Sequence, residues 1–357
     1  MKVAVLGVGL IGGSIGLATR AQAEAEVQGW DPNPLVSERA LALGAIDVQA
    51  PDIEAAVADA QVVFVAAPVS AIVETVTSAL AHAPQDCVVT DVGSTKRLVA
   101  DSLSDPRFVG GHPLAGAETA GVEHARAQLF DGATWYLCPA PGTTGVLYER
   151  LYGLLRRLGA RPTAIDSDSH DRLMAIVSHL PHVLANVLVS QAATLVEGEP
   201  QERLPAVGPS FRDATRVAGA NSAIWTDIYM SNRDALIGAL DELDLRLDAV
   251  RATLAAADAP AVTEWNEHAR GDRDALLGAG LAGGPVHELR VSVPNRPGVI
   301  AEIALALGRA GVNIVEMALS PSEDNRQGVV ALWIGGERAA RRAHQLIADL
   351  GFPVAAA

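Results

Sequence analysis

Short apolar runs alternate with helix-compatible stretches over the first 165 residues of the chain. Five of these runs are typical of strands, and they occupy residues 2–6, 27–30, 61–66, 87–90 and 107–110. Strands that are apolar nearly throughout, with helical segments between them, indicate a parallel sheet covered on both faces. The pattern therefore predicts a doubly wound α/β domain over residues 1–165, with strand-like segments at 133–139 and 161–165 extending the sheet.

After Asp166 the pattern changes to helix over residues 166–280. Residues 171–196 are apolar nearly all round, which predicts a buried helix, and Pro181 inside it predicts a kink. A second helix carries an apolar seam with alternating spacings of four and three, formed by Leu236, Leu240, Leu243, Leu247, Val250 and Leu254. Such a seam fits either packing within the chain or a subunit interface.

A glycine-rich segment at residues 278–284 has the composition of a flexible linker. The chain beyond it, residues 286–357, shows strand and helix patterns in the order β-α-β-β-α-β, which predicts a small ferredoxin-like α+β domain. We therefore expect three domains, at 1–165, 166–280 and 286–357.

Composition narrows the classes of function. The net charge is −15 and the isoelectric point is near 5.0, so we expect no nucleic-acid partner. No run of 18 uncharged apolar residues occurs, and the N-terminus lacks a cleavage site, so we expect neither a transmembrane helix nor a signal peptide nor a membrane partner. Cys87 and Cys138 lie in strand-like runs without metal-ligand spacing, which predicts no metal site and a reduced, cytoplasmic location.

The segment Gly7-Val8-Gly9-Leu10-Ile11-Gly12 follows a strand and begins a helix, and Asp31 ends the next strand 19 residues after Gly12. This context makes the segment a dinucleotide fingerprint of the Rossmann type. Gly7 permits the turn, Gly9 admits the pyrophosphate and Gly12 allows close helix packing, while the helix N-terminus attracts phosphate. Asp31 would bind the adenosine ribose and repel a 2′-phosphate, so we expect NAD rather than NADP as cofactor.

Other strand ends and helices carry residues that suit chemistry. His112 follows a strand beside the expected nicotinamide position and suits a general base, because a histidine pKa lies near neutrality. Pro68 and Ser94 end two further strands at the edge where such sheets bind ligands. Taken singly these residues could be ordinary, as could the helix and loop residues Ser178, His179, His182, Arg212, Arg216 and Trp225.

Together these segments resemble the prephenate dehydrogenase family, which also contains arogenate dehydrogenases. The matching segments are GxGLIGGS at 7–14, DVGS-K at 91–96, GGHPLAG-E at 110–118, SHLPH at 178–182 and DxTR followed by Trp at 213–225. Residues 286–357 resemble an ACT domain through PNRPGVIAEI at 294–303 and GVNI at 311–314. The family resemblance implies a Rossmann domain and an all-helical dimerisation domain in a homodimer.

The resemblance also implies NAD-dependent oxidative decarboxylation of prephenate to 4-hydroxyphenylpyruvate, on the route to tyrosine. His112 would accept the proton of the ring hydroxyl, and Ser94 would orient His112 and contact the cofactor, with Pro68, Leu10 and Ile11 completing the cofactor site. Arg216 would bind a substrate carboxylate, Ser178 and His182 would line the pocket, and Trp225 would reach the partner subunit's site. Ala117 departs from the family pattern, which often has a hydroxyl residue there, although Glu118 is retained.

Three other functions are compatible with parts of the sequence. Arogenate dehydrogenase differs only in substrate and would form tyrosine directly. A β-hydroxyacid dehydrogenase would need a catalytic lysine in the helical domain, where residues 166–280 contain none. A cofactor-binding sensor would show no turnover. The ACT-like domain would bind an amino acid, with tyrosine the leading candidate and Asn295, Gly298 and Asn313 at its loops, or would only stabilise a dimer.

Overall fold

The computed structural model describes residues 1–116, 119–139, 142–194, 207–279, 286–294, 299, 302–303, 306–307, 310, 312, 314–321 and 327–356. The chain forms two compact units, Met1–Leu245 and Arg246–Ala357. The boundary between the units falls inside one long helix, Arg233–Ala255.

The first unit begins with an eight-stranded sheet. Its strands are β1 (Lys2–Leu6), β2 (Glu26–Trp30), β3 (Val48–Gln49), β4 (Val62–Val65), β5 (Val88–Asp91), β6 (Phe108–Pro113), β7 (Thr134–Pro139) and β8 (Arg161–Ala164). The helices between them are α1 (Leu10–Ala23), α2 (Pro34–Ala42), α3 (Ile53–Val57), α4 (Val69–His82), α5 (Arg97–Ser102) and α6 (Gly145–Arg157), with 3₁₀ turns at Val122–His124 and Ala127–Phe130.

The strand order is β3-β2-β1-β4-β5-β6-β7-β8, and β1 to β6 are parallel. β6 and β7 pair antiparallel, so β7 and β8 run opposite to the other strands. The predicted doubly wound α/β fold is confirmed, and the strand order reverses between β1 and β4. A crevice opens at such a reversal, beyond the carboxyl ends of the strands, and this is where α/β sheets bind ligands.

Successive residues of the central strands belong to different hydrophobic cores. Val3 and Val5 pack into one core, and Ala4 and Leu6 pack into the other. Side chains alternate between the faces of a strand, so a strand with helices on both faces must be apolar at every position. This explains the uninterrupted apolar runs in the sequence.

The remaining elements of the first unit are helical. They are α7 (Ser167–Met174), a π-helical turn (Ala175–His179), α8 (Leu180–Thr194), α9 (Pro209–Thr215), a 3₁₀ turn (Arg216–Gly219), α10 (Ser222–Ser231) and the start of α11 (Arg233–Ala255). At the predicted kink the chain has the π-helical turn instead, just before Pro181, which has no N–H to donate to the preceding turn.

The expectation of a buried helix over 171–196 is wrong for the described residues of the single chain, which end at Thr194 here. Ile176, Val177 and Val187 each expose more than half of their surface. The seam on α11 is only partly covered: Leu236 is buried, whereas Leu247 and Leu254 are 48% and 61% exposed. Apolar faces of this kind favour the subunit-interface interpretation of the seam over packing within the chain.

One continuous helical stretch among the described residues, Ser167–Thr194, is long and apolar enough to cross a membrane by length and composition alone. The expectation that no such stretch exists therefore needs correction. The stretch also contains His179, His182 and Asn186, whose side chains hydrogen-bond with neighbouring residues of the unit. A helix at the centre of a helical domain passes the same test of length and composition.

The second unit contains the end of α11, then α12 (Ala259–Ala279), β9 (Val286–Pro294), β10 (Ile314–Pro321), β11 (Gln327–Gly335), α13 (Glu337–Asp349) and β12 (Val354–Ala356). The four strands form an antiparallel sheet in the order β10-β11-β9-β12. Alternate residues of β9, Leu289, Val291 and Val293, are buried in the core of this unit. The sheet agrees with the ferredoxin-like prediction.

Candidate active site

The glycine loop after β1 is built so that only glycine fits two of its positions. Gly7 has a φ of +91°, and a Cβ there would lie 2.4 Å from the carbonyl oxygen of Ala66. A Cβ on Gly12 would lie 1.8 Å from the carbonyl oxygen of Gly7, so α1 packs closely on the loop. By contrast, a Cβ on Gly9 would meet nothing within 4 Å, which leaves open space in front of that residue. The loop therefore provides a cradle beside exposed backbone.

The first turn of α1 provides donors for an anion. No side chain caps the helix at Gly9, and its first turn contains no acidic residue. The free N–H groups of a helix N-terminus bind phosphate well. Asp31, at the end of β2, lies beside this loop and accepts the backbone N–H groups of Val8 at 3.1 Å and Asn33 at 3.0 Å. The residues thus fit a dinucleotide, with an acid placed for its ribose.

A buried ion pair joins β5 to the loop that follows it. Lys96 and Asp91 form a salt bridge in which their side chains are 1% and 0% exposed. The Asp91 carboxylate also accepts the N–H of Gly93 at 2.8 Å and the N–H of Gly111 at 3.1 Å. The pair therefore ties the ends of β5 and β6 together beneath the candidate site. The sequence analysis quoted this motif but gave neither residue a role.

His112 lies near the end of β6 and contacts a second histidine that the sequence analysis missed. Its Nδ1 atom is 2.9 Å from Nε2 of His170, and Nδ1 of His170 is 2.8 Å from Oδ1 of Asp171. Oδ1 of Asp171 also accepts the N–H of Lys96 at 2.7 Å, and Oδ2 accepts the N–H of Arg97 at 2.9 Å. The adjacent pair His170 and Asp171 is visible in the sequence at the start of the helical region. No local pattern connects this pair with His112.

The environment of His112 keeps its imidazole neutral. Burial lowers the pKa of His112 well below 6.5, and electrostatic interactions with His170, Lys96 and His179 lower it further. Burial alone would raise the pKa of Asp171, but hydrogen bonds from His170 and from the backbone of Arg97 and Lys96 outweigh it and lower that pKa. At neutral pH the site therefore contains an uncharged base backed by an ionised carboxylate.

The π-helical turn and α8 carry the other histidines. Nδ1 of His179 lies 3.1 Å from Nδ2 of Asn232, which also donates to the backbone oxygen of Asp171 at 2.7 Å. Burial lowers the pKa of His179 to about 4. His179 is thus a neutral core residue at pH 7, held by the same network that anchors Asp171.

His182 and Trp225 stack face to face within one chain, with ring centroids 3.6 Å apart and an interplanar angle of 5°. Nδ1 of His182 hydrogen-bonds with the hydroxyl of Tyr229, and burial lowers the pKa of His182. Nε2 of His182 is buried and forms no hydrogen bond of good geometry with the described residues, although a contact with the backbone of Val217 partly offsets the lowering of the His182 pKa. The sequence analysis expected Trp225 to reach the partner subunit's site. In the single chain Trp225 contacts His182, a candidate substrate-binding residue of its own chain.

Helix α10, which carries Trp225, is attached to the nucleotide-binding part of the same unit. The hydroxyl of Ser70, at the N-terminus of α4, donates to the Asp227 carboxylate at 2.5 Å. The Thr95 hydroxyl donates to the Ser231 hydroxyl at 3.0 Å. The second contact lies next to Ser94. These bonds fix the helix that presents Trp225 relative to the loop after β5.

The structure places the other predicted site residues less closely together. The Ser94 hydroxyl is partly exposed and makes no hydrogen bond to His112 or to other described residues, and Pro68 caps α4. Ser178 lies in the π-helical turn, and Arg216 begins the 3₁₀ turn with its side chain exposed. Five further residues of the predictions lie outside the described part of the chain, namely Ala117, Glu118, Asn295, Gly298 and Asn313.

No group of three or more histidine, cysteine or acidic residues in the described part of the chain could hold a metal ion. The candidate site consists instead of a glycine loop at the reversal of strand order, an acid at the end of β2 and a buried neutral histidine at the end of β6. This combination defines a dinucleotide-dependent dehydrogenase, in which a bound cofactor carries out the redox step.

Comparison with known proteins narrows this class. Family models match for the prephenate dehydrogenase nucleotide-binding domain at residues 15–163, the prephenate dehydrogenase dimerization domain at 166–267 and the ACT domain at 287–334. The chain is 32% identical to the prephenate dehydrogenase of Bacillus subtilis, over 97% of this chain and 96% of that protein. The chain belongs to the prephenate dehydrogenase family.

Solved structures agree with this assignment. The prephenate dehydrogenase of Aquifex aeolicus, in complex with hydroxyphenyl propionate and NAD+, matches with a TM-score of 0.70 and 27% identity over 76% of this chain and 97% of that one. The arogenate dehydrogenase of Synechocystis matches with a TM-score of 0.68 and 26% identity over 77% of this chain and 100% of that one. The predicted family and the predicted three-part fold class are confirmed.

Proposed function

We propose that the protein is an NAD-dependent prephenate dehydrogenase that converts prephenate to 4-hydroxyphenylpyruvate by oxidative decarboxylation. The observation that carries this proposal is the buried, neutral His112 at the same sheet edge as the glycine loop. A dehydrogenase of this type needs one base beside the cofactor, and membership of the prephenate dehydrogenase family indicates the substrate.

The glycine loop and Asp31 hold the cofactor in this proposal. Gly7, Gly9 and Gly12 shape the cradle, and the backbone of Leu10 and Ile11 in the first turn of α1 faces the pyrophosphate. Asp31 accepts hydrogen bonds from the adenosine ribose, which favours NAD because a 2′-phosphate would be repelled. Pro68 and Ser94 contact the cofactor from the next two strand ends. When bound, NAD supplies the hydride acceptor.

His112 removes the proton in the chemical step. The carbinol C–H bond of prephenate breaks with its electron pair leaving as hydride, and Nε2 of His112 takes the hydroxyl proton as the carbonyl forms. The ring carboxylate then leaves as CO2, its bonding electrons enter the ring, and the carbonyl oxygen regains a proton as the phenol forms. Aromatisation drives the second stage, so the protein supplies positioning, one base and charge complementarity.

The helical region binds the substrate in this proposal. We assign one carboxylate to the guanidinium of Arg216, because arginine binds carboxylates in a bidentate manner. Ser178 and His182 line the pocket. The unsatisfied Nε2 of His182, beside Trp225, is a second polar contact that a substrate could complete.

Arogenate is the second candidate substrate, because the structurally similar Synechocystis protein is an arogenate dehydrogenase. The test is to mix the purified protein with NAD and either substrate and to follow NADH absorbance together with the aromatic product. We expect NADH and 4-hydroxyphenylpyruvate from prephenate. Faster turnover of arogenate would reverse the substrate assignment. The absence of NADH with either substrate would refute the proposed dehydrogenase activity.

The same assay tests the base. We expect His112→Ala to lower kcat by about 10²–10⁴-fold, the usual contribution of a general base, with NAD affinity nearly unchanged. Turnover close to that of the wild-type protein would assign the base to another residue, with His182 the next to test.

Domain organisation and regulation complete the proposal. We assign residues 1–165 to cofactor binding, 166–280 to substrate binding and homodimer formation, and 286–357 to regulation of a cytoplasmic enzyme. We propose tyrosine as the effector of the ACT domain. Deletion after Gly284 tests this idea, because inhibition by tyrosine at the ACT domain would be lost in the truncated enzyme, whereas competition at the active site would remain.

A further inference from the structure

The contact at Nδ1 of His112 indicates a function for two residues that the family motifs quoted above do not include. We propose that His170 and Asp171 are positioning residues that act through His112. Asp171 holds a proton on Nδ1 of His170, His170 holds a proton on Nδ1 of His112, and the lone pair of His112 is thereby kept on Nε2. This inference rests on the proposed function, in which His112 is the base.

The direction of the two hydrogen bonds follows from the acceptor at the far end. An ionised carboxylate can only accept, so Nδ1 of His170 donates to Asp171 across 2.8 Å. In this proposal His170 is in its neutral form, in which the lone pair lies on Nε2 and this atom can only accept. The 2.9 Å contact therefore requires an N–H on Nδ1 of His112. Nε2 of His112 has no hydrogen-bond partner among the described residues and remains available to the substrate.

His112, His170 and Asp171 form a hydrogen-bond relay, and the Asp171 carboxylate at its end is held from several sides. Its two oxygens accept the N–H groups of Lys96 and Arg97, and Asn232 donates to the backbone oxygen of the same residue. His170 is fully buried, and its ring packs edge-on against Tyr136 with centroids 5.6 Å apart. A rigid, buried partner holds the ring of His112 in one orientation and one tautomer.

This relay also bears on Ser94. Because Nδ1 of His112 is occupied, a hydroxyl could reach the imidazole only at Nε2, the atom that must accept the substrate proton. The relay, rather than Ser94, is therefore the element that orients the base. When His112 becomes charged during the reaction, the proton on Nδ1 stays in place, and the Asp171 carboxylate stabilises the imidazolium through His170.

Two substitutions of His170 separate positioning from structural support. His170→Phe fills the same space without a hydrogen bond to either neighbour. His170→Gln retains an amide oxygen that can accept from His112 and an amide N–H that can donate to Asp171. Asp166→Ala is the matched control, because the Asp166 side chain caps the same helix through the N–H of Ser169 and contacts the ring of neither histidine. The backbone oxygen of Asp166, which accepts the N–H of His170 at 2.9 Å, is retained in this variant.

The readouts are steady-state kinetics with prephenate and NAD across pH, and ¹⁵N spectra of histidine-labelled full-length enzyme without ligands. We expect His170→Phe to lower kcat by up to about 10⁴-fold, as a wrong tautomer of the base does, with KM nearly unchanged. We expect His170→Gln to recover most of the loss and Asp166→Ala to keep wild-type kcat. The ¹⁵N spectrum should show His112 protonated on Nδ1 in wild type and shifted towards protonation on Nε2 in His170→Phe.

The possible results are distinguishable. If kcat and the His112 tautomer are the same in His170→Phe as in wild type, or if Asp166→Ala loses as much kcat as His170→Phe, the relay has no positioning role. If wild type itself produces no NADH from prephenate or arogenate, the proposed function fails. The ¹⁵N spectra then still decide whether His170 sets the tautomer of His112.

Discussion

Lys96 offers a stringent test of how the site is held together. The chain contains two lysines, Lys2 and Lys96, and each forms an ion pair. Lys96 is 1% exposed and pairs with the fully buried Asp91, whereas the Lys2 side chain is 42% exposed and pairs with Asp59 at the surface. Substituting each lysine by methionine keeps an unbranched chain of similar length and removes one charge.

The magnitude follows from what each substitution leaves behind. Lys96→Met leaves the Asp91 carboxylate buried with two backbone N–H groups and no counter-charge. Removing one partner of a buried ion pair costs about 3–5 kcal/mol, a large part of the roughly 5–15 kcal/mol that stabilises a protein. Lys2→Met exposes Asp59 to water, so its free energy of unfolding should hardly change.

The assay is urea unfolding of the full-length protein at pH 7, followed by tryptophan fluorescence. With a slope of roughly 3 kcal/mol per molar urea, the expected loss lowers the midpoint of Lys96→Met by about 1–1.7 M. The double variant Asp91→Asn/Lys96→Met removes both charges and should recover part of this loss, because no unpaired carboxylate remains.

An equal, small effect of Lys96→Met and Lys2→Met would refute the reasoning. It would mean that water or another cation reaches Asp91, and that the ion pair does not fix the loop beneath His112. A double variant less stable than Lys96→Met would also contradict it, since the buried charge could then not be the source of the loss.

Three further predictions concern the cofactor, the substrate and pH. Asp31→Ala should increase kcat/KM with NADP relative to NAD, because the charge that repels a 2′-phosphate is gone; an unchanged ratio would place cofactor discrimination elsewhere. Arg216→Ala should raise KM for prephenate about tenfold to a hundredfold, the effect of losing one charged hydrogen bond, and an unaltered KM would give Arg216 a structural role. Burial lowers the pKa of His179 to about 4 from 6.5, so the unfolded chain binds the proton first and stability present above pH 6.5 is lost as the pH falls towards 4. In His179→Phe, urea unfolding should lose part of this acid sensitivity, and an identical pH dependence would contradict the assignment.

Much of the fold could be predicted from local signals. Uninterrupted apolar runs identified the central strands, and the glycine spacing after β1, with Asp31 nineteen residues after Gly12, identified the cofactor loop. These signals are local because strand burial and a tight turn depend on neighbouring residues. His112 could also be selected, since it follows a strand at the edge where α/β sheets bind ligands.

The partners of His112 could not be selected in this way. His112 meets His170 across 58 positions, and Asp171 meets Lys96 across 75. Periodicity states which residues share a face of one element, but not which element packs against that face. The sequence analysis named Ser94 as the residue that orients the base and did not name His170, which the structure places 2.9 Å from Nδ1 of His112.

Burial was the second property that only the tertiary structure decided. A lysine is expected at the surface, yet Lys96 is buried because Asp91 and the strand ends surround its charge. The converse holds for Ile176 and Val187, which look like core residues but are exposed in the single chain. An apolar position in a sequence specifies removal from water, and the three-dimensional packing determines whether the same chain or another molecule provides it.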